Sequence, residues 1–198
     1  MSLLNRLLHY YDSAESTQLL TAKDQEQLAQ DSTVRRAAVL MAVTNEDMSP
    51  QLVLTQRAKH LSSHPGQISF PGGMWEVEDK NLAQTALRES WEEIGLSPEV
   101  VKLTHRFDSL ESRFGVHVTP FLGIIPKGTK LVPCEKETEQ VFTVPLEFFI
   151  EQPPERIDSL FRGDTEFKVP AWLYQDKDIW GLTAMIIDIA LAPLRKKN

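Results

Sequence analysis

The fold of this chain depends most on residues 70–96, which read FPGGMWEVEDKNLAQTALRESWEEIGL. Two adjacent glycines open the stretch, and from Leu82 onward apolar side chains recur at the spacing of an α-helix. Asn81, followed three residues later by Gln84, is typical of a capping box at a helix start, and Gly95 suits the left-handed position that ends a helix. The sequence therefore predicts a Gly-Gly turn followed by a capped amphipathic helix.

The two faces of this predicted helix differ in chemistry. At about 100° per residue, one face collects the apolar side chains, namely Leu82, Ala83, Ala86, Leu87, Trp91 and Ile94. Glu89 and Glu93 lie together on the opposite side with Glu92 beside them, and a solvated acidic face is one interpretation. A metal site is the other, because clustered carboxylates beside a Gly-Gly turn suit hard divalent cations such as Mg²⁺ or Mn²⁺.

This stretch resembles the Nudix box, the signature of hydrolases that act on nucleoside diphosphates linked to another group. The signature is Gly, five residues, Glu, seven residues, then Arg-Glu-apolar-x-Glu-Glu-x-Gly-apolar. The matching positions are Gly73, Arg88, Glu89, Glu92, Glu93, Gly95 and Leu96. Asp79 stands where the family has Glu, with one extra residue before Arg88, and Ser90 replaces an apolar residue. The resemblance implies an α/β fold, an α/β/α sandwich around a mixed β-sheet, in a metal-dependent diphosphatase.

A second motif lies upstream, where residues 52–73 read LVLTQRAKHLSSHPGQISFPGG. It resembles the motif of the coenzyme A pyrophosphatase branch, L-L-T-x-R-S/A, three residues, R, three residues, G, three residues, F-P-G-G, with Ser62 in place of the second Arg. The resemblance implies hydrolysis of coenzyme A or its derivatives to 3′,5′-ADP and 4′-phosphopantetheine or acyl-phosphopantetheine. One alternative is a Nudix pyrophosphatase of ADP-ribose, NADH or another nucleoside diphosphate derivative. The other is a non-catalytic, nucleotide-binding regulator with the Nudix fold.

The resemblance also implies roles for individual residues. The expected metal ligands are Glu89, Glu92, Glu93 and the carbonyl of Gly73. The expected catalytic residues are Glu93 or Glu137 as the base, with Glu135 and Glu139 as alternatives to Glu137, and Arg88, which orients a carboxylate through a salt bridge while pointing away from the Glu89–Glu93 pair. The expected substrate contacts are Arg57, Lys59, His64, Gly72 and Arg113. Among them Arg57 suits phosphate best, because a guanidinium donates two parallel hydrogen bonds.

The rest of the chain predicts further strands and helices. The predicted strands cover 35–44, 51–57, 100–107, 116–125, 141–146, 166–169 and 171–174, the last two separated by Pro170. The predicted helices lie within 1–31, including a short one at 23–29, at 146–151, and after 178–183 at the C-terminal end. Pro120 predicts an edge position or a bulge, because proline cannot donate to a strand ladder.

Composition limits the classes of partner. The length of 198 residues suits one globular domain, which we expect at 32–198 after an N-terminal helical arm at 1–31 that is a packing element or a homodimer element. A net charge of −7 argues against a nucleic-acid polymer and leaves a small-molecule nucleoside diphosphate derivative as the expected partner. Cys134 is the single cysteine, and residues 180–194 are too few to span a bilayer. We therefore expect a cytoplasmic protein without a membrane partner.

Overall fold

The computed structural model describes residues 1–11, 34–162 and 165–195. Its helices are α1 (Leu3–Tyr11), α2 (Leu82–Ile94), α3 (Leu146–Glu151) and α4 (Gly181–Leu191), with 3-10 turns at Pro98–Val100 and Ala192–Leu194. Its strands are β1 (Arg36–Asn45), β2 (Gln51–Arg57), β3 (Ile68–Ser69), β4 (Gly72–Met74), β5 (Lys102–Arg106), β6 (Leu110–Glu111), β7 (His117–Pro126), β8 (Thr138–Pro145), β9 (Arg156–Arg162), β10 (Thr165–Tyr174) and β11 (Lys177–Ile179).

Eight of the strands in these described residues form one mixed sheet, in which β1 is the central strand. It runs parallel to β7, from Arg36 opposite His117 to Asn45 opposite Pro126, and antiparallel to β2 and β4. The remaining pairs are antiparallel: β2 with β3 and β8, and β7 with β5 and β6. The predicted Gly-Gly turn is wrong, because Gly72 and Gly73 belong to β4, and the pairing of β4 with the central strand β1 places them at the middle of the sheet.

Alternate side chains of β1 enter two different apolar cores. Leu40 packs with side chains of α2, whereas Met41 packs with side chains of α1, α3 and α4. Because successive residues of a strand point to opposite faces, this alternation places helices on both sides of the sheet. The predicted α/β/α sandwich around a mixed sheet is confirmed.

The ends of α2 follow the local signals in the sequence. The side chain of Asn81 accepts a hydrogen bond of 2.9 Å from the backbone N–H of Gln84, and Gly95 has φ +65°. The predicted apolar face is wrong at Trp91, whose side chain is 54% exposed. Ser90 and Glu93 are buried instead, because the side of the helix that meets the sheet also meets the Gly-Gly strand. The helix is therefore rotated relative to the orientation that the apolar periodicity predicts.

Two prolines lie inside strands. Pro120 belongs to β7, which is flanked by β1 and β5, so the predicted edge position is wrong. The alternative, an irregular pairing, is confirmed, because the register shifts by one residue between the Arg106–Phe121 and Leu110–Val118 pairs. The carbonyl of Pro120 accepts a hydrogen bond from the N–H of Phe107, in the gap between β5 and β6. The nitrogen of Pro120 faces the same gap, so its missing N–H costs no bond of a regular strand pair.

Pro170 does not break β10. Strand β10 has β9 on one edge and β11 on the other, and the described residues of β11 pair with β10 only from Trp172 to Tyr174. Pro170 therefore loses no hydrogen bond to β11.

The two ends of the chain pack together. Leu4, Leu7 and Tyr11 of α1 are buried, and the Tyr11 hydroxyl donates a hydrogen bond of 3.0 Å to the carbonyl of Ala190 in α4. The predicted helix at 23–29 lies outside the described residues, and the division into 1–31 and 32–198 stays a prediction. In the part of the chain that is described, no helix is long and apolar enough to cross a membrane.

Candidate active site

The Gly-Gly strand and α2 approach each other too closely for side chains on the glycines. A Cβ on Gly73 would lie 2.4 Å from the carboxylate carbon of Glu89. A Cβ on Gly72, whose φ is +148°, would lie 2.3 Å from the carbonyl oxygen of Ala38 in β1. In this close packing, the backbone N–H of Gly72 donates a hydrogen bond of 3.1 Å to Oε2 of Glu93.

Glu93 is the most buried carboxylate of α2, with 4% of the residue exposed. Its pKa is raised to about 7, mainly by burial and to a smaller extent by the nearby charges of Glu89 and Glu137. The hydrogen bond from Gly72 and the positive charge of Arg57, whose Nη1 lies 3.7 Å from Oε1 of Glu93, act in the opposite direction. A carboxylate with a pKa near neutrality is suited to accept a proton from water.

Glu89 lies one helical turn before Glu93, and the charge of Glu137 affects the pKa of both carboxylates. Burial raises the pKa of Glu89, Arg88 opposes that rise, and Glu92 and Glu137 add repulsion. Glu137 comes from a different part of the chain, the turn before β8. Its charge raises the pKa of both Glu89 and Glu93.

The turn that carries Glu137 is tied to both motifs by backbone hydrogen bonds. The N–H of Cys134 donates to the carbonyl of Glu93, at 2.8 Å, and the N–H of Ala58 donates to the carbonyl of Glu137, at 2.9 Å. The two alternatives to Glu137 lie elsewhere. Glu135 and Glu139 line an open cavity of about 470 Å³, with Ala58, Lys59, His60 and Thr138 as the other lining residues. Of the three, Glu137 is the one whose charge acts on the pKa of Glu89 and Glu93.

Arg88 is the centre of a carboxylate network. Its Nε and Nη2 donate to the two oxygens of Asp79, each at 3.0 Å, and its Nη1 donates to both Glu89 and Glu92, again at 3.0 Å. The prediction that Arg88 points away from the Glu89–Glu93 pair is wrong for Glu89, because the long side chain folds back along the helix. The salt bridge to Glu89 is the kind that an orienting role requires.

Asp79 is a residue whose importance sequence reasoning missed. It is buried, and although burial opposes the shift, hydrogen bonds from Arg88, Thr85 and the Glu76 N–H lower its pKa. The signal was present in the sequence as a departure from the family pattern, a shorter acid with one extra residue before Arg88. The structure shows that this acid still reaches the Arg88 guanidinium.

The predicted substrate contacts fall into separate groups. Arg57 reaches Glu93 and also donates from Nε to the carbonyl of Ser63, at 3.4 Å. Lys59 points outward and pairs with Glu139 at 3.1 Å. His64 and Arg113 lie against the ring of Phe114, a residue that the sequence did not single out. Only Arg57 and Gly72 of the five directly contact a carboxylate of α2 among the interactions described.

The donor set fits a hard divalent cation in its chemistry. Glu89 and Glu93 offer carboxylate oxygens, and the space that a Cβ on Gly73 would fill lies against the Glu89 carboxylate. Glu92 differs from these two ligands, because its side chain is 54% exposed and forms a salt bridge with Arg88. Within the described residues, no three His, Cys, Asp or Glu side chains are already grouped as a metal site. The predicted ligands are therefore near one another without being arranged around a common point.

Comparison with known proteins agrees with this geometry. A family model described as NUDIX domain matches residues 34–161. The chain is 36% identical over 156 residues, 79% of its length, to the "Uncharacterized Nudix hydrolase NudL" of Yersinia pestis (strain Pestoides F), of which it covers 78%.

Two solved structures share the fold. One is the MutT/nudix family protein from Enterococcus faecalis, with a TM-score of 0.56, 19% identity, and coverage of 98% of this chain and 74% of that chain. The other is the Nudix hydrolase RenU from M. smegmatis, with a TM-score of 0.51, 18% identity, and coverage of 60% and 74%. Since the family model spans most of the chain and the relative is similar over most of its length, this protein belongs to the Nudix family and is a Nudix hydrolase, a diphosphatase of phosphorus-containing anhydrides.

Proposed function

We propose that this Nudix hydrolase cleaves the diphosphate bond of coenzyme A or a derivative, releasing 3′,5′-ADP and 4′-phosphopantetheine or acyl-phosphopantetheine. One observation carries the proposal: the two ends of the upstream motif meet at the same carboxylate. Arg57, near its start, lies 3.7 Å from Oε1 of Glu93, and Gly72, at its end, donates to Oε2 of Glu93. A substrate-recognition motif folded onto the catalytic helix supports a role in binding the diphosphate that is cleaved.

The side chains of this site supply a base and a cation. Hydrolysis forms a bond between a water oxygen and one phosphorus, breaks the bridging P–O bond, and passes the water proton to a base. Glu93 is our first candidate for that base because its pKa is raised to about 7, and Glu137 is the second because it lies close enough to repel Glu93. Arg57 carries guanidinium donors beside this position and suits a diphosphate oxygen.

Nudix hydrolases generally use divalent metal ions. The residues that would hold one here are Glu89, Glu92 and Glu93, with the carbonyl of Gly73. When bound, Mg²⁺ or Mn²⁺ would neutralise the charge on the diphosphate oxygens. Besides burial, repulsion from other carboxylates raises both pKa values, from Glu92 and Glu137 at Glu89 and from Glu89 and Glu137 at Glu93. A bound cation would relieve this repulsion, which supports the assignment.

A second candidate substrate class is ADP-ribose, NADH or another nucleoside diphosphate derivative. The observation in its favour is Ser62, which is exposed and uncharged where the coenzyme A motif has an arginine. Loss of that cation weakens the case for a substrate with an additional phosphate. Membership among the Nudix hydrolases favours either substrate over the non-catalytic regulator.

The test is product analysis with purified protein. Coenzyme A, ADP-ribose, NADH and nucleoside triphosphates are each incubated with Mg²⁺, with Mn²⁺ and with chelator. We expect metal-dependent release of 3′,5′-ADP from coenzyme A, well above turnover of the others. Preference for ADP-ribose or NADH would overturn the coenzyme A assignment and leave the diphosphatase intact.

Glu89→Gln tests the metal assignment in the same assay. We expect loss of turnover with the fold retained, because a glutamine still accepts the hydrogen bond from Arg88 but binds a cation poorly. Glu99→Gln is the matched control, since Glu99 is an exposed glutamate in the turn that follows α2. Activity that survives in Glu89→Gln would show that the assigned ligand is wrong.

A further inference from the structure

Outside the carboxylate site, three side chains of two different loops form an exposed cluster. The Arg113 guanidinium carbon lies 4.7 Å from the centre of the Phe114 ring, and the His64 ring centre lies 5.3 Å from it in an edge-to-face arrangement. Phe114 is nevertheless 55% exposed. An aromatic residue that has a cation over its ring and an imidazole packed edge-to-face, yet remains more than half exposed, is suited to stack against a planar ligand.

Phe114 is presented by a turn that is already rigid. The Ser112 hydroxyl accepts from the N–H groups of both Phe114 and Val116, and the Ser112 N–H donates to the carbonyl of Val116 at 2.8 Å. Gly115 completes the turn with φ +72°, and a Cβ there would meet nothing within 4 Å. The turn thus holds Phe114 toward open space without covering its ring.

His64 is held just as firmly from the other side. Its φ of +54° is unfavourable for a residue with a side chain, and its Nδ1 lies 2.8 Å from Oε1 of Gln67. Backbone strain of this kind is concentrated at functional sites. Both loops therefore hold their side chains in place before any ligand is present.

The cluster is connected to the carboxylate site through Arg57. The side chain of Arg57 lies between Glu93 and the carbonyl of Ser63, and His64 is the next residue. The loop from Arg57 to Gln67 is closed by the hydrogen bond from Arg57 N to the carbonyl of Gln67, at 3.0 Å. A ligand whose phosphates lie at Arg57 can therefore extend along this loop toward Phe114.

We infer that Phe114, Arg113 and His64 form the binding site for the nucleobase half of the substrate. The base stacks on the open side of Phe114, while the Arg113 guanidinium provides positive charge for a phosphate on the ribose. This inference rests on the proposed function, in which the nucleotide half carries a 3′-phosphate and the other half carries no base. It assigns Phe114 and Arg113 as residues that determine specificity.

Equilibrium binding tests the inference without turnover. The ligands are AMP and adenosine 3′,5′-bisphosphate, neither of which contains a diphosphate bond, and ribose 5-phosphate, which has no base; each is titrated calorimetrically into the full chain. We expect Phe114→Leu to weaken both adenine nucleotides about tenfold, within the range for loss of base–aromatic stacking, and to leave ribose 5-phosphate unchanged. Arg113→Gln is expected to weaken the bisphosphate more than AMP.

Phe161→Leu is the matched control, because Phe161 is also an exposed phenylalanine but lies in β9 of the other sheet. Unchanged binding of both nucleotides by Phe114→Leu, with an unchanged melting temperature, would overturn the inference. Failure of the proposed function gives a different pattern: wild-type protein that does not cleave coenzyme A, together with weakened nucleotide binding by Phe114→Leu. That pattern would leave the nucleobase site in place and change only the substrate.

Discussion

The backbone N–H of Gly72 donates a hydrogen bond of 3.1 Å to Oε2 of Glu93, across 21 positions of the chain. This bond joins the strand that lies in the sheet to the helix that carries the carboxylates. It also opposes the rise in the pKa of Glu93 that burial causes. The pKa of Glu93, the proposed base, therefore depends on the backbone N–H of Gly72, which a side-chain substitution elsewhere cannot replace.

The adjacent glycines should respond differently to alanine. Gly73→Ala places a methyl group 2.4 Å from the Glu89 carboxylate carbon, so that carboxylate must move. Because a displacement of about 1 Å can cost about 100-fold in rate, we expect a loss of that order in kcat with a nearly unchanged melting temperature. Gly72→Ala is the comparison: its φ of +148° and its contact with the Ala38 carbonyl predict destabilisation by about 1–3 kcal/mol or more. Equal melting temperatures for the two variants would contradict this distinction.

Removal of the Asp79 carboxylate should destabilise the fold. Asp79→Asn leaves the Arg88 guanidinium without its two-point partner, and the Arg88 side chain is only 22% exposed. Breaking a buried pair costs about 3–5 kcal/mol, which we reduce to about 2 kcal/mol for the partial exposure of Arg88. Urea unfolding measures the change. Glu92→Gln is the control on the same arginine, and because the Glu92 side chain is 54% exposed we expect less than about 0.5 kcal/mol. A larger effect at Glu92 than at Asp79 would show that the network is wrongly assigned.

Metal-free protein should lose stability as pH rises through the range in which Glu93 titrates. The folded-state pKa is raised to about 7 from its ordinary value of 4.5, so the folded protein binds this proton more tightly than the unfolded chain does. The resulting stabilisation is complete below about pH 4.5 and is lost progressively up to about pH 7, with a total of about 3 kcal/mol. The free energy of unfolding with chelator, measured at pH 5 and pH 8, should fall more steeply for wild type than for Glu93→Gln. Parallel pH dependences would contradict the raised pKa.

Arg57 should set the acidic limb of the pH–rate profile. Its positive charge lowers the pKa of Glu93, in opposition to burial. Arg57→Gln removes that charge, so the acidic limb of kcat/KM should move to higher pH, and KM should rise if the guanidinium also binds phosphate. Arg57→Lys keeps the charge and should leave the limb near its original position. A limb that is unaffected by Arg57→Gln would mean that Glu93 is not the titrating base.

Much of the fold followed from local patterns. The boundaries predicted for β2 and α3 match the structure, and those for β1 and β7 differ by one residue at each end. These elements consist of apolar runs bounded by turn residues, so their positions depend mainly on neighbouring residues. Strand β9 was missed, because its mixed polar and apolar residues have no clear alternation.

The sequence by itself determined the capped helix that carries Glu89, Glu92 and Glu93, because helix ends and helical spacing depend on residues at most a few positions apart. Tertiary structure alone decided that Glu93 is buried while Trp91 is exposed, since only the sheet establishes which side of the helix is covered. It also decided the meetings of Arg57 with Glu93 and of His64 with Phe114. Each of these depends on how strands and loops from separate parts of the chain pack, and no pattern of nearby residues contains that information.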